Sequence, residues 1–116
     1  MRHERITDEA KGWFAGPWNS DLGVSVGFAN EGIDEPHVHS QLTEIYLVAR
    51  GTSSIRVEQE TVELRQGDAL IIEPGEAHTF LSSSDDYFHF VIHTPGLAGE
   101  AARREKRPVP RSQLGH

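Results

Sequence analysis

Between Leu22 and Thr94 apolar residues recur at every second position in short runs, and turn-forming residues close each run. A period of two belongs to extended backbone, and strands spaced roughly eight to twelve residues apart build sandwiches or barrels. The first run, Leu22 to Ala29, puts Val24, Val26 and Phe28 on one face, and Asn30-Glu31-Gly32 turns the chain. Thr43 to Arg50 sets Glu44, Tyr46 and Val48 against Ile45, Leu47 and Ala49. Both of its faces are largely apolar, which predicts a second sheet on one side and a partner subunit on the other. Ser54 to Glu58 and Thr61 to Arg65 read as a hairpin turning near Gln59-Glu60. Gln66-Gly67-Asp68 turns into a strand from Ala69 to Glu73, and Pro74-Gly75-Glu76 leads into His78 to Leu81. Tyr87 to His93 is an aromatic strand ended by Pro95-Gly96.

Two flanks fall outside this pattern, so the expected organisation is an N-terminal flank over 1–20, a β-barrel over 21–96 and a C-terminal tail over 97–116. The first flank predicts a short helical turn near Asp8 to Gly12, followed by Trp13, Phe14 and Trp18 as a cap on a barrel end, a dimer contact or a gate. The tail predicts an exposed helical stretch over Gly99 to Arg107, stopped by Pro108 and Pro110, with its Arg-Arg-Glu-Lys-Arg run solvated.

With 116 residues, 36% hydrophobic and 25% charged, the chain fits one globular domain with a single modest core. A formal charge of -7 argues against a nucleic-acid partner, which needs a basic face, and against an anionic membrane surface. The absence of cysteine excludes disulfides, thiolate-bound zinc and iron–sulfur clusters. Met1-Arg2-His3-Glu4-Arg5 leads to no apolar run, so no signal peptide is expected and a soluble cytoplasmic protein is.

The chemistry concentrates at His37-Val38-His39 and Glu44. Imidazoles at i and i+2 of a strand point the same way. Glu44 and His78 would complete a set of three nitrogens and one oxygen, which suits a divalent first-row transition metal. A buried carboxylate without a cation is costly, and coordination removes that objection.

These residues resemble the cupin family, whose fold is the double-stranded β-helix or jelly-roll barrel. The family's first motif has Gly, five residues, His-x-His, three or four residues, Glu, six residues and Gly. It is matched by Gly32, His37, His39, Glu44 and Gly51, with four rather than five residues after Gly32. The second motif is matched by Gly67, Gly75 and His78; Glu73 stands at the usual proline, Pro74 follows it, and Ser82 replaces an asparagine. The fifteen residues between the motifs, Thr52 to Gln66, are typical of small single-domain microbial cupins.

The resemblance implies an all-β jelly-roll barrel with His37, His39, Glu44 and His78 as metal ligands. Fe, Mn, Ni, Co and Zn all suit such donors, and four protein ligands leave two positions of an octahedron open. Strand parity adds Val26, Phe28, Val48, Phe80 and Ser82 as pocket residues, and Tyr46 as a donor of a hydrogen bond or proton. On the last strand Tyr87, His89, Val91 and His93 alternate with Phe88, Phe90 and Ile92. The expected arrangement turns Phe88 and Phe90 inward as pocket walls and leaves His89 and His93 at a surface or interface. The opposite arrangement makes His89 a general base near the metal.

The resemblance implies a metal-dependent enzyme acting on a small organic molecule, foremost an oxygenase. A metal-assisted isomerase, cyclase or lyase, and a non-catalytic small-molecule binder, are the alternatives. A homodimer is expected from the doubly apolar strand and from family habit.

Overall fold

Alternation along Thr43–Arg50 places Glu44, Tyr46 and Val48 in the interior, while Leu47 and Ala49 face out. That strand, β4, sits second from the edge of a five-stranded sheet in the computed structural model, which describes residues 1–32 and 34–115. In chain order the strands are β1 (Lys11–Ala15), β2 (Ser25–Ala29), β3 (His37–His39), β4 (Thr43–Arg50) and β5 (Thr52–Val57). They continue as β6 (Glu60–Arg65), β7 (Ala69–Ile72), β8 (His78–Ser83), β9 (Phe88–Thr94) and β10 (Lys106–Pro108). One sheet runs β1-β2-β9-β4-β7 and the other β10-β3-β8-β5-β6, with antiparallel pairings throughout. This is the expected all-β cupin barrel, closed face to face over Tyr46, Val48, Ile55, Leu64, Ile72, Phe80, Tyr87 and Val91.

Both flanks depart from expectation. In place of a helical turn near Asp8 to Gly12, Lys11–Ala15 forms β1 against β2. The aromatics drive this. Phe14 packs on the Phe28 ring at 5.2 Å, and Trp13 lies over Gly27, where a Cβ would stand 2.7 Å from the indole. At the other end, helix α1 (Gly99–Glu105) forms as expected, but the chain does not go on into solvent. Lys106–Pro108 adds β10 to the edge of β3, in register with His39, Val38 and His37. The segments over 1–20 and 97–116 therefore contribute strands to the barrel. The hairpin of β5 and β6 turns at Glu58-Gln59, one residue earlier than expected, with Glu58 in the left-handed region at φ 50°.

Candidate metal centre and cavity

The short strand β3 turns His37 and His39 inward and leaves Val38 half-exposed. His78 begins β8 directly opposite His37, and Glu44 reaches in from the facing sheet. One donor atom from each of His37, His39, Glu44 and His78 lies within 4.8 Å of every other, and all four residues are buried. The ring orientations are set from behind. His37 Nδ1 donates to the Glu35 carbonyl at 2.7 Å and His78 Nδ1 to the Glu76 carbonyl at 3.0 Å. Each ring therefore presents Nε2 to the common centre, the arrangement by which outer partners orient metal-ligating histidines. The Pro74-Gly75-Glu76 turn survives the displaced proline. Gly75 occupies the left-handed region at φ 87° and donates its amide to the His39 carbonyl at 2.8 Å.

Glu44 is the hub of the cluster. Its Oε1 accepts from the Tyr46 hydroxyl at 2.7 Å and stands 3.0 Å from His78 Nε2 and 3.5 Å from His39 Nε2. Its Oε2 is 2.6 Å from His93 Nε2. Burial pushes the Glu44 carboxyl up, but the surrounding His39, His78 and His93 more than offset this and hold it well below the carboxylate range. Burial, aided by the neighbouring His78, lowers His37 to about 4, so its imidazole is neutral and ligand-ready at ordinary pH. Burial first, and then the Glu44 charge, raise Tyr46 well above the usual phenol range, so it remains a proton donor.

A divalent cation fits these donors. Both ring nitrogens of His39 are buried without a hydrogen-bond partner among the described residues, which is costly unless a further group supplies one. With Nδ1 of His78 already donating, its Nε2 faces the carboxylate either as a second N–H or as a lone pair. A proton and a cation thus compete for the same place.

Beside the cluster opens a cavity of about 440 Å³. Its buried end is formed by Tyr46, Phe80, His89 and Val91, and its mouth by Lys11, Gly12, Trp13, Glu31 and Lys106. A second cavity of about 380 Å³ lies under α1 and shares Trp13, His39, His93 and Lys106 with the first.

Of the expected pocket residues, Phe28 and Phe80 border the larger cavity. The expectation for the last strand is reversed. Glu44 pairs with His93, Tyr46 with Val91 and Val48 with His89, so the histidine-bearing face of β9 looks inward. Phe88 and Phe90 lie on the opposite face, where Phe88 stacks on Phe28 at 6.1 Å and Phe90 is 36% exposed. Every residue of β4 that faces in is matched by one of β9, so the interior parity of Glu44 dictates that of His93. Val26 pairs with Ile92 and shares that outer side. Val48 is buried in the core below the cavity, and Ser82 is exposed in a polar groove outside it.

His93 belongs to the site: its ring packs against Trp13 at 4.8 Å while its Nε2 holds Glu44. Trp13, Lys11 and Lys106 also enter the lining, and only the flanking strands bring them there.

A sequence profile described as the AraC-like ligand binding domain matches residues 22–114. No curated protein matches the chain by sequence. Among solved structures, a cupin protein from Bacteroides fragilis is 24% identical, with 84% of this chain and 88% of that one covered at a TM-score of 0.65. Pac13, described as a unique nucleoside dehydratase, is 16% identical over 93% of this chain and 92% of its own, with a TM-score of 0.66; Streptomyces forms of it have been solved with uridine. KdgF from Halomonas sp. is 19% identical over 80% and 86%, with a TM-score of 0.63. These likenesses carry the cupin fold.

Proposed function

The chain belongs to the AraC-like ligand binding domain family, and from that premise we propose that it is a metal-dependent cupin enzyme acting on a small organic molecule. The observation that carries this is the convergence of His37, His39, Glu44 and His78 beside a cavity of about 440 Å³, with neither ring nitrogen of His39 hydrogen-bonded among the described residues. A bound divalent ion would supply a Lewis acid, and with a redox-active metal an electron source for dioxygen. Three neutral imidazoles and one carboxylate leave such a centre with net positive charge, which favours an anionic or polarisable ligand.

The chain's own groups define what surrounds that ligand. Phe80 and Val91 exclude water at the buried end, and Tyr46 holds a proton 2.7 Å from Glu44 Oε1. His93 fixes the far oxygen of Glu44 and so restricts the carboxylate to one presented oxygen. The three-histidine, one-glutamate donor set supports the oxygenase reading. A metal-assisted lyase, isomerase or cyclase is favoured instead by the proton-bearing Tyr46, His89 and His93 gathered on one side of the cavity. Pac13, of similar fold, is described as a nucleoside dehydratase, and a dehydration is a lyase-type reaction.

Elemental analysis of protein purified without added metal is the first test: about one transition-metal ion per chain is expected, and none would overturn the proposal. Oxygen uptake by iron-loaded protein with candidate substrates separates the two chemistries. Tight ligand binding without turnover would identify a binder. We also infer a homodimer in the cytoplasm, built on the apolar outer face of the β4 sheet; no helix among the described residues is long and apolar enough to cross a membrane.

A further inference from the structure

His89 lies at the buried end of the cavity and has no place in the metal cluster. Its Nδ1 is 2.7 Å from the Tyr87 hydroxyl, and Tyr87 is wholly buried behind it. Three aromatic rings fix the plane of the imidazole: Tyr46 at 4.7 Å, Phe80 at 5.7 Å and Tyr87 at 5.3 Å between centroids.

The hydrogen between Tyr87 and His89 has only one economical position. The Tyr87 hydroxyl has His89 Nδ1 as its single partner among the described residues. Were Nδ1 to donate, the hydroxyl hydrogen would be buried without an acceptor, a costly outcome. Tyr87 therefore donates, Nδ1 accepts, and a neutral imidazole must carry its own hydrogen on Nε2. Burial pushes His89 down to about 4, so the ring is neutral at ordinary pH, and burial pushes the Tyr87 phenol well above its usual range, so it keeps its proton. With Nδ1 engaged, Nε2–H is the polar group His89 has left for the cavity.

We propose that His89 contacts the ligand as a neutral hydrogen-bond donor rather than as a general base, with Tyr87 as the positioning residue that fixes its tautomer, so that the ligand enters with an oxygen acceptor (a carbonyl, carboxylate or enolate) foremost. This rests on the cavity being the ligand site. Phe80 and Val91 wall the space between that acceptor and the metal cluster, which suits a compact, largely apolar body. In this tautomer His89 cannot abstract a proton from carbon. It polarises a carbonyl or holds a developing oxyanion through a donor that costs no reorganisation.

The first measurement needs no ligand. Full-length protein with ring-labelled histidine, zinc-loaded, is examined by long-range proton–nitrogen correlation, with His89→Gln assigning the signal. The Nε2–H tautomer is expected throughout pH 6 to 8 for the native chain, and a shift towards the Nδ1–H form in Tyr87→Phe. A native Nδ1–H tautomer, or an imidazolium at pH 7, would overturn the inference. The second measurement titrates benzoate into the same zinc-loaded protein by calorimetry. His89→Phe should weaken binding about tenfold, the range of one hydrogen bond to a charged acceptor, while His89→Gln, which keeps an N–H of similar reach, should restore most of it. Benzoate bound equally by native protein and His89→Phe overturns the role of His89 and leaves the ligand-binding reading intact. Benzoate refused by every form overturns the oxygen-anion class itself.

Discussion

His39 is the residue on which the metal reading is most exposed. Its two ring nitrogens are buried with no hydrogen-bond partner among the described residues, so the side chain is a stability cost in the metal-free chain and a donor in the loaded one. His39→Ala should therefore keep the β-sheet circular dichroism and should not lower the metal-free melting temperature. It should lower metal affinity beyond the roughly 10–100-fold typical of residues that merely orient ligands. Metal stoichiometry by elemental analysis checks this, and full occupancy in the variant would remove His39 from the ligand set. A pH experiment addresses the buried imidazoles as a class. Burial lowers His37 and His89 from 6.5 to about 4, so between those values the unfolded chain takes up protons that the native metal-free chain refuses. Stability is complete above pH 6.5 and falls as pH drops towards 4, by at most about 3 kcal/mol per histidine. Glu44 works in the same sense but lower down, because its carboxyl is depressed in the fold and its contribution begins to fade only as pH falls through the ordinary carboxylate range. Urea midpoints of metal-free protein at pH 7 and pH 5 should therefore separate clearly, and His89→Gln should narrow the gap.

The elements that support the site differ in how openly the sequence declares them. Glu105 sits inside a run of four basic residues, which by composition reads as a solvated tail, yet it is only 2% exposed. It accepts from the Ser40 hydroxyl at 2.9 Å and from the Gln41 amide, and so fastens α1 to the loop between β3 and β4. The following strand, β10, then covers the edge of β3, the strand that carries two of the candidate ligands. No local pattern announces a pairing across sixty-five residues, because propensity and charge describe a segment and not its distant partner. Glu105→Ala should cost about 1–3 kcal/mol, the range for losing hydrogen bonds to a charged acceptor, and chemical denaturation measures it. It should also weaken metal binding by loosening β3, whereas an effect within experimental scatter on both quantities would reduce the latch to a surface contact. By contrast β4 and the His-x-His strand were legible because their information is local: a period of two and a fixed spacing. The inward face of β9 was not, since both of its faces bear aromatics and only the pairing of Glu44 with His93 decides between them.

At the scale of the whole molecule, the two sheets use up the inner apolar surface and leave an outer one. On the β4 sheet Leu47 is 38% exposed, Ile71 56% and Phe90 36%, and Leu47 pairs directly with Phe90 across neighbouring strands. Ile45 and Ile92 flank them on the same side of the same strands. Scattered apolar residues are ordinary on a surface, but a contiguous group on one sheet face is the feature that marks association. Two copies meeting through this face would stack sheets about 10 Å apart, and a standard interface buries roughly 800 Å² per partner. The β4 strand is then covered on both sides, which is what its doubly apolar pattern predicts. Light scattering on native protein at micromolar concentration should give about twice the 12.9 kDa of one chain. Ile71→Asp combined with Leu47→Asp should return the monomer mass, because each buried carboxylate would face its symmetry mate's apolar surface with no cation. Metal stoichiometry should be unchanged in that variant, since both side chains point away from Glu44 and the histidines. A native chain already monomeric at that concentration would refute the dimer, and a double variant that loses its metal would mean the outer face and the site are coupled through β4.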